Sequence, residues 1–290
     1  MSAATPGILF VVSTPIGNLE DITLRAIHTL RSCDHVVAED TRRTLALLRH
    51  LNISGKPLHS LHAHSPPTHI ELIVQLLEKG GQIALVTDAG TPLVSDPGDA
   101  LISATLNAGF RVVPIPGPSA ILSALVGSGL GGGRFRFFGF LPREGKNRCN
   151  TLLHIGNTSE SIILFEAPTR IAKTLHDLSA LTPNRLACIA REITKIHEEF
   201  LRGSLAELAS LPREEWRGEI TLVLGPHDLP YTMTSPCTSL DESKLQETIE
   251  RALAEGETTK NVVNHLMAKS GGKSKRDLYA QVLQVKNRQK

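Results

Sequence analysis

Charged side chains in this sequence gather where short apolar runs end. The run Ile83 to Val86 leads into Asp88-Ala89-Gly90-Thr91-Pro92, then into a second turn at Asp96-Pro97-Gly98. His35 to Ala38 leads into Glu39-Asp40-Thr41-Arg42-Arg43, and Leu186 to Ala190 into Arg191-Glu192-Ile193-Thr194-Lys195. Arg111 to Ile115 ends in Pro116-Gly117-Pro118-Ser119-Ala120, where a helix is expected to begin with Pro118 at its first position. The amides of Ser119 and Ala120, with the helix dipole behind them, would favour an anionic group such as a cofactor carboxylate. Two carboxylates followed by two arginines could be a solvated cap. Their place beside the other run ends favours a site.

The elements that must position these residues follow from the same pattern. Ile8 to Val12 reads as a buried strand, followed by a helix with an apolar face at Leu24, Ile27 and Leu30. Strands at His35–Ala38, Pro57–Leu61, Ile83–Val86 and Arg111–Ile115 alternate with helices at His69–Glu78 and Asp99–Asn107, a βαβ pattern with a parallel sheet. In such sheets ligands sit at the carboxyl ends of strands. Residues 127–133 hold five glycines and read as a domain boundary. A second half follows, with strands at Phe135–Phe140, Ser161–Phe165, Leu186–Ala190, Glu198–Arg202 and Gly218–Gly225 and with mixed directions expected. The expected division is an N-terminal α/β domain at 1–126, a second α/β domain at 134–227 and a basic helical segment at 240–290.

Composition excludes several classes. At 290 residues the chain can form two cores, and its net charge of +2 confines any basic patch to a local region. Four cysteines without CxxC spacing argue for a reducing compartment and against zinc. His59, His62, His64 and His69 lie close together but lack ligand spacing, so no metal is expected. The first apolar run is too short to span a membrane, which points to the cytoplasm. There is no P-loop, no GxGxxG after the first strand and no GxSxG elbow. From Thr258 onward, eight lysines and arginines face one aspartate, the footprint expected for a phosphate backbone.

Seven stretches in order narrow the reading: Thr14-Pro15-Ile16-Gly17-Asn18-Leu19-Glu20-Asp21-Ile22-Thr23, Ala38-Glu39-Asp40-Thr41-Arg42, the Asp88 to Gly98 stretch, Pro116 to Ala120, Gly139-Phe140-Leu141-Pro142, Phe165 to Arg170 and Ala190 to Lys195. Together they resemble the tetrapyrrole methylase superfamily, and within it the branch that methylates a cytidine 2′-oxygen in 16S ribosomal RNA. Porphyrin-methylating relatives carry a glycine-glycine-aspartate-proline loop where this chain has Ala89-Gly90-Thr91-Pro92. That departure disfavours a tetrapyrrole substrate.

The resemblance implies two α/β domains with S-adenosylmethionine in the cleft between them, a homodimer, and RNA of the small ribosomal subunit as partner. By position the cofactor would lie against Pro15, Asp88, Gly90, Thr91, Ser119, Ala120, Ala167 and Ile220. Holding the reactants in line could supply about 7–11 kcal/mol, and a general base about 10²–10⁴-fold. Asp40 and Lys195 are the first choice for that chemistry, with Glu39 and then Glu166 behind. A lysine would serve only if desolvation lowers its pKa. Arg42, Arg191 or Lys195 could otherwise hold phosphates. Arg143, Lys146 and Arg148, with Lys273, Lys275 and Arg276 of the tail, form the expected RNA track. Two rivals stay open: a superfamily methyltransferase acting on a tetrapyrrole or protein side chain, and a non-catalytic RNA-binding assembly protein.

Overall fold

A computed structural model describes residues 6–62, 65–131, 133–212, 216–227, 248–253, 257–267 and 275–288. The first half alternates strands and helices: β1 (Ile8–Val12), α1 (Leu24–Ser32), β2 (His35–Ala38), α2 (Thr41–His50), β3 (Leu58–Ser60), α3 (Pro67–Glu78), β4 (Gln82–Val86), α4 (Asp99–Asn107), β5 (Arg111–Ile115) and α5 (Ala120–Ser128). The strands form a five-stranded sheet in the order β3-β2-β4-β1-β5, and every neighbouring pair is parallel.

Side chains alternate across this sheet, and each face has its own helices. Val12, Val36, Ala38, Ala84, Val86 and Ile115 pack on Ala26 and Leu30 of α1 and Leu48 of α2. Leu9, Val37, Ile83 and Leu85 pack on Ile73 and Leu77 of α3 and Leu101 of α4. The reason is directional. The chain steps one way across the sheet from β1 to β3 and back from β3 to β5, and right-handed crossovers put the two sets of helices on opposite faces. β4 lies between β2 and β1, whose helices cover the face opposite α4. Its exit is therefore a switch point on both sides, where α/β sheets open a ligand crevice.

The second half holds β6 (Phe135–Phe140), α6 (Gly145–Gly156), β7 (Ser161–Glu166), α7 (Ile171–Leu181), β8 (Leu186–Arg191), β9 (Glu199–Ser204), α8 (Leu205–Ala209) and β10 (Ile220–Leu224). Its sheet runs β6-β7-β10-β8-β9, with β6 and β7 parallel. Two of its helices escape a reading of the sequence. α6 opens on Gly145-Lys146-Asn147-Arg148, which lacks an apolar signature, and α8 is five residues long, secured by the Ser204–Glu207 capping box.

Chain contacts divide the molecule into two units. One is Met1–Gly129 with Cys188–Leu201 and Gly218–Val223; the other is Leu130–Ala187, Arg202–Arg217 and Leu224–Lys290. In the second, Arg185 is buried and donates to the carbonyls of Gly225, Ile155 and Glu160 at 2.7–3.0 Å. Near the C-terminus, helical residues 248–253 (α9), α10 (Thr259–Met267) and α11 (Lys275–Arg288) share a small core of Ile249, Val262, Val263, Leu266, Leu278, Val282 and Val285. Cys33 and Cys188 are buried and lie outside any disulfide. No described helix is long and apolar enough to cross a membrane.

Candidate functional site

The strand exits of the first sheet are stitched to one another. Thr14 and Gly90 form an antiparallel bridge, their amides and carbonyls 2.8 and 3.0 Å apart, and Thr14 Oγ1 donates to the Thr87 carbonyl at 3.0 Å. Ser13 Oγ and Thr91 Oγ1 lie 3.0 Å apart, and Thr91 Oγ1 donates to the Pro118 carbonyl at 3.4 Å. The Asp40 amide donates to Asp88 Oδ1 at 3.1 Å. Exits of β1, β2, β4 and β5 are thus joined. Pro15, Asp88, Gly90, Thr91 and Ser119 all lie on these joined loops. Beyond Gly90 the chain holds Leu93 (φ 75°) and Ser95 (φ 69°) in the left-handed region. Non-glycine residues held there cost about 1–3 kcal/mol each, and such strain gathers at ligand-binding loops.

Ser119 is the N-cap of α5 rather than its second residue: its side chain accepts from the Leu122 amide, and the helix begins at Ala120. A serine cap satisfies an orphan amide that a proline start would leave open, so Pro118 falls outside the helix. The amides of Ala120 and Ile121 still lack an intrahelical acceptor, and the dipole still favours an anion there.

Carboxylates at the β2 and β4 exits meet around one hydroxyl. Thr87 Oγ1 is 3.2 Å from Glu39 Oε2 and 2.8 Å from Asp96 Oδ2. A hydroxyl has one proton to donate, so both contacts are hydrogen bonds only when one of the two carboxyls is itself protonated. Burial pushes the Glu39 carboxyl above its ordinary range, with Asp96 and Asp88 adding to the rise. Burial raises Asp96 as well, and Asp88 adds to it. Both carboxyls of the pair therefore bind a proton more readily than an ordinary side-chain carboxylate. Neither Asp96 nor Thr87 stands out in the sequence as a chemical group, because a turn residue and a threonine just past a strand end carry no such signal.

Asp40 and Lys195, the first choices for catalysis, have other work. Asp40 caps α2, accepting from the Arg42 amide at 2.8 Å and from the Arg42 guanidinium at 2.8 and 3.1 Å. Those bonds hold its carboxyl down at about 2, which makes it a weak base. Lys195 Nζ lies 2.8 Å from Glu192 Oε1 and 3.1 Å from Glu219 Oε2. Burial alone would lower its pKa, but the two glutamates outweigh burial and raise it. Lys195 stays a cation. Glu192 is held below its usual range, chiefly by its bond with Lys195.

This corner is tied to the β1 exit. The Asn18 amide donates to Thr194 Oγ1 at 3.0 Å, and Glu192 (φ 51°) and Thr194 (φ 68°) are left-handed. A Cβ on Gly17 would come within 2.5 Å of Lys195 Cγ and 2.7 Å of Thr194 Oγ1, so only glycine lets these loops approach. Arg191 pairs with Glu199 at 3.0 Å, and Ile220 is buried at the start of β10.

The remaining expected site residues divide. Glu166 is no base: its buried carboxylate accepts from Thr174 Oγ1, the Ala167 amide and Arg170. Arg143 and Lys146 are exposed, but Arg148 is 5% exposed and bonded to Asp177, Thr174 and the Pro142 carbonyl. It points inward because α6, unseen in the sequence, turns that side of the segment onto α7, and it leaves the RNA track. Lys275 and Arg276 occupy the first turn of α11, and Lys273 lies outside the described residues. His59 meets His35 through ring nitrogens 3.1 Å apart, the rings tilted by 53°, and among the described residues no group of three His, Cys, Asp or Glu could hold a metal.

A doubly covered parallel sheet with interlocked strand exits and a polar switch point is an architecture that binds a small molecule at its strand ends. The profile of the family described as Tetrapyrrole (Corrin/Porphyrin) Methylases matches residues 9–209, and the chain belongs to that family. It is 40% identical over 281 residues to "Ribosomal RNA small subunit methyltransferase I" of Halalkalibacterium halodurans, covering 94% of this chain and 93% of the relative. The protein of that name from Synechocystis sp. is 39% identical over 284 residues, covering 96% and 98%. Among solved structures, a diphthine synthase superposes with a TM-score of 0.59 at 16% identity, over 76% of this chain and 91% of that one. The Thermus thermophilus uroporphyrin-III C-methyl transferase complexed with S-adenyl homocysteine gives 0.54 at 18%, over 76% and 97%.

Proposed function

We propose that this chain transfers a methyl group from S-adenosylmethionine to RNA of the small ribosomal subunit, and more finely to the 2′-oxygen of a cytidine in 16S rRNA. Similarity to proteins named for small-subunit rRNA methylation, along nearly the whole chain, supports the substrate. The observation that carries the chemistry is the meeting of the Glu39 and Asp96 carboxyls on the Thr87 hydroxyl at a strained switch-point loop.

The residues fit the cofactor. The amides at the start of α5 suit its carboxylate, the hydroxyls of Ser13 and Thr91 and the backbone at Pro15 and Gly90 suit its polar edges, and Asp88 suits its ammonium or ribose hydroxyls. Ser119 and Ala120 present that helix start, and Ala167 and Ile220 complete the set on the resemblance alone. When bound, S-adenosylmethionine supplies a methyl on a positively charged sulfur. Glu39 takes the proton of the ribose hydroxyl as that oxygen attacks, and Asp96 and Asp88 keep its carboxylate basic. Arg42, fixed by Asp40, meets a phosphate; Lys195, shared by Glu192 and Glu219, holds the loop beside Gly17. Placement supplies the larger share, about 7–11 kcal/mol, against about 10²–10⁴-fold for the base.

Arg143 and Lys146 extend the RNA contact, with Lys273, Lys275 and Arg276 of the C-terminal segment. The protein works in the cytoplasm as a homodimer, for which the exposed Leu122 and Val126 on α5 offer apolar surface. The test is transfer of labelled methyl from S-adenosylmethionine to small-subunit rRNA, followed by nucleoside digestion. The reading requires 2′-O-methylcytidine. Label in a tetrapyrrole or a protein instead, or no transfer at all, would overturn it. Removing residues 241–290 should weaken RNA binding and spare the cofactor; equal loss of both would make the tail structural.

A further inference from the structure

β6 places Phe135, Phe137, Phe138 and Phe140 within six residues, and it is an edge strand. On an uninterrupted strand, residues three apart point to opposite faces. Here they do not. Phe137 lies opposite Ile163 and Phe140 opposite Phe165, so three steps along β6 match two along β7. The extra residue makes a bulge, and Gly139 within it is buried with φ 63°. In consequence Phe137 and Phe140 both reach Phe165, with ring centroids 4.9 and 5.7 Å away at 71° and 56°. Phe140 remains 54% exposed.

The chain just beyond this ring is held hard. Arg170 donates to the Leu141 carbonyl at 2.5 Å and Arg148 to the Pro142 carbonyl at 3.1 Å. Arg148 is anchored in turn on Asp177 at 2.8 Å, and Arg170 on the buried Glu166 at 3.1 Å. Next come the exposed cations Arg143 and Lys146. The bulge leaves an aromatic ring half in solvent, on a backbone fixed by the buried Arg148 and the half-buried Arg170. Rigid aromatic faces beside cations are how proteins grip unpaired bases, the ring stacking on the base while the cations follow the phosphates.

We propose that Phe140 is a stacking platform for an unpaired base of the RNA substrate, aimed by the Gly139 bulge and backed by Phe165 and Phe137. The inference rests on the RNA reading above. It is tested in the full chain with Phe140→Leu and Phe140→Trp, measuring RNA KM and kcat with small-subunit rRNA, S-adenosylmethionine Kd by calorimetry, and mass by sedimentation. Phe140→Leu should raise the RNA KM about tenfold while kcat at saturating RNA, cofactor Kd and mass stay as in wild type. Phe140→Trp should restore the KM, which a role in apolar packing alone would not require. An unchanged KM in Phe140→Leu, an equal loss of cofactor binding, or a change in mass (which would make this a contact between protein copies) overturns the proposal. If the wild-type chain itself methylates no RNA, the functional reading fails and takes this one with it.

Discussion

Two acidic corners of the first unit have been put to opposite uses. Around Thr87, Glu39 and Asp96 are partly buried with Asp88 nearby, and their pKa values are pushed up. Around Lys195, Glu192 and Glu219 share one ammonium, which is raised while Glu192 is lowered. The charges are similar in kind, but among the described residues the one cation in an ion pair at the first corner, Arg43, pairs with Asp88 at 3.4 Å, and its pull on Glu39 is smaller than that of burial and the two aspartates. A carboxylate beside a cation becomes scaffold, and one desolvated among its own kind becomes a place to put a proton. The Lys195 corner locks the strained loop against Gly17; the Thr87 corner is the one proposed to take the proton.

Breaking the first corner should have the largest effect. Glu39→Gln should lower single-turnover methyl transfer by about 10²–10⁴-fold with S-adenosylmethionine affinity retained; near-normal transfer would erase the contrast between the corners. Glu166→Ala calibrates the pairing argument where the carboxylate is fully buried. It takes one acceptor from Arg170 and one from Thr174, which keep their bonds with the Leu141 carbonyl and Arg148, and denaturant unfolding should register a loss of about 1–3 kcal/mol.

Asp96→Asn sharpens the comparison through pH. Removing a negative charge that faces Glu39 lowers the Glu39 pKa, so the acid limb of kcat should move to lower pH. Stability follows the same sign. Folded-state values above the unfolded ones favour folding at low pH, and that contribution is lost as pH rises through them. Asp96→Asn should therefore lose less stability than wild type between acid and neutral pH, as followed by Tm. Lys195→Met should change least in rate, by less than the hundredfold lower bound for losing a base, while its Tm falls because Glu192 and Glu219 lose their shared cation.

Most of the parallel sheet was legible in the sequence, since apolar runs such as Ile8–Val12 and Arg111–Ile115 state their own limits as strands. α6 was not, because its inward face depends on Arg148, a side chain that reads as solvated until Asp177 and Thr174 are seen beside it. The loops of the site were legible too, through their glycines, prolines and acids. The roles within them were not. Asp40 advertises itself in Glu39-Asp40-Thr41-Arg42, yet its capping bonds with Arg42 hold its carboxyl in the scaffold. Glu39 sits one residue earlier, and its distinction comes from Thr87 and Asp96, which are remote from it in sequence. Burial and long-range neighbours set a pKa, and spacing along the chain reports neither.

The central claim is that Glu39 holds its proton more tightly than an ordinary glutamate because of burial and its carboxylate neighbours. Carbon-detected NMR titration of the Glu39 carboxyl in the wild-type protein and in Asp96→Asn measures this directly. The wild-type midpoint should lie above the ordinary glutamate value and fall when Asp96 is neutralised; a midpoint at or below that value, indifferent to Asp96, would remove Glu39 from the role given to it.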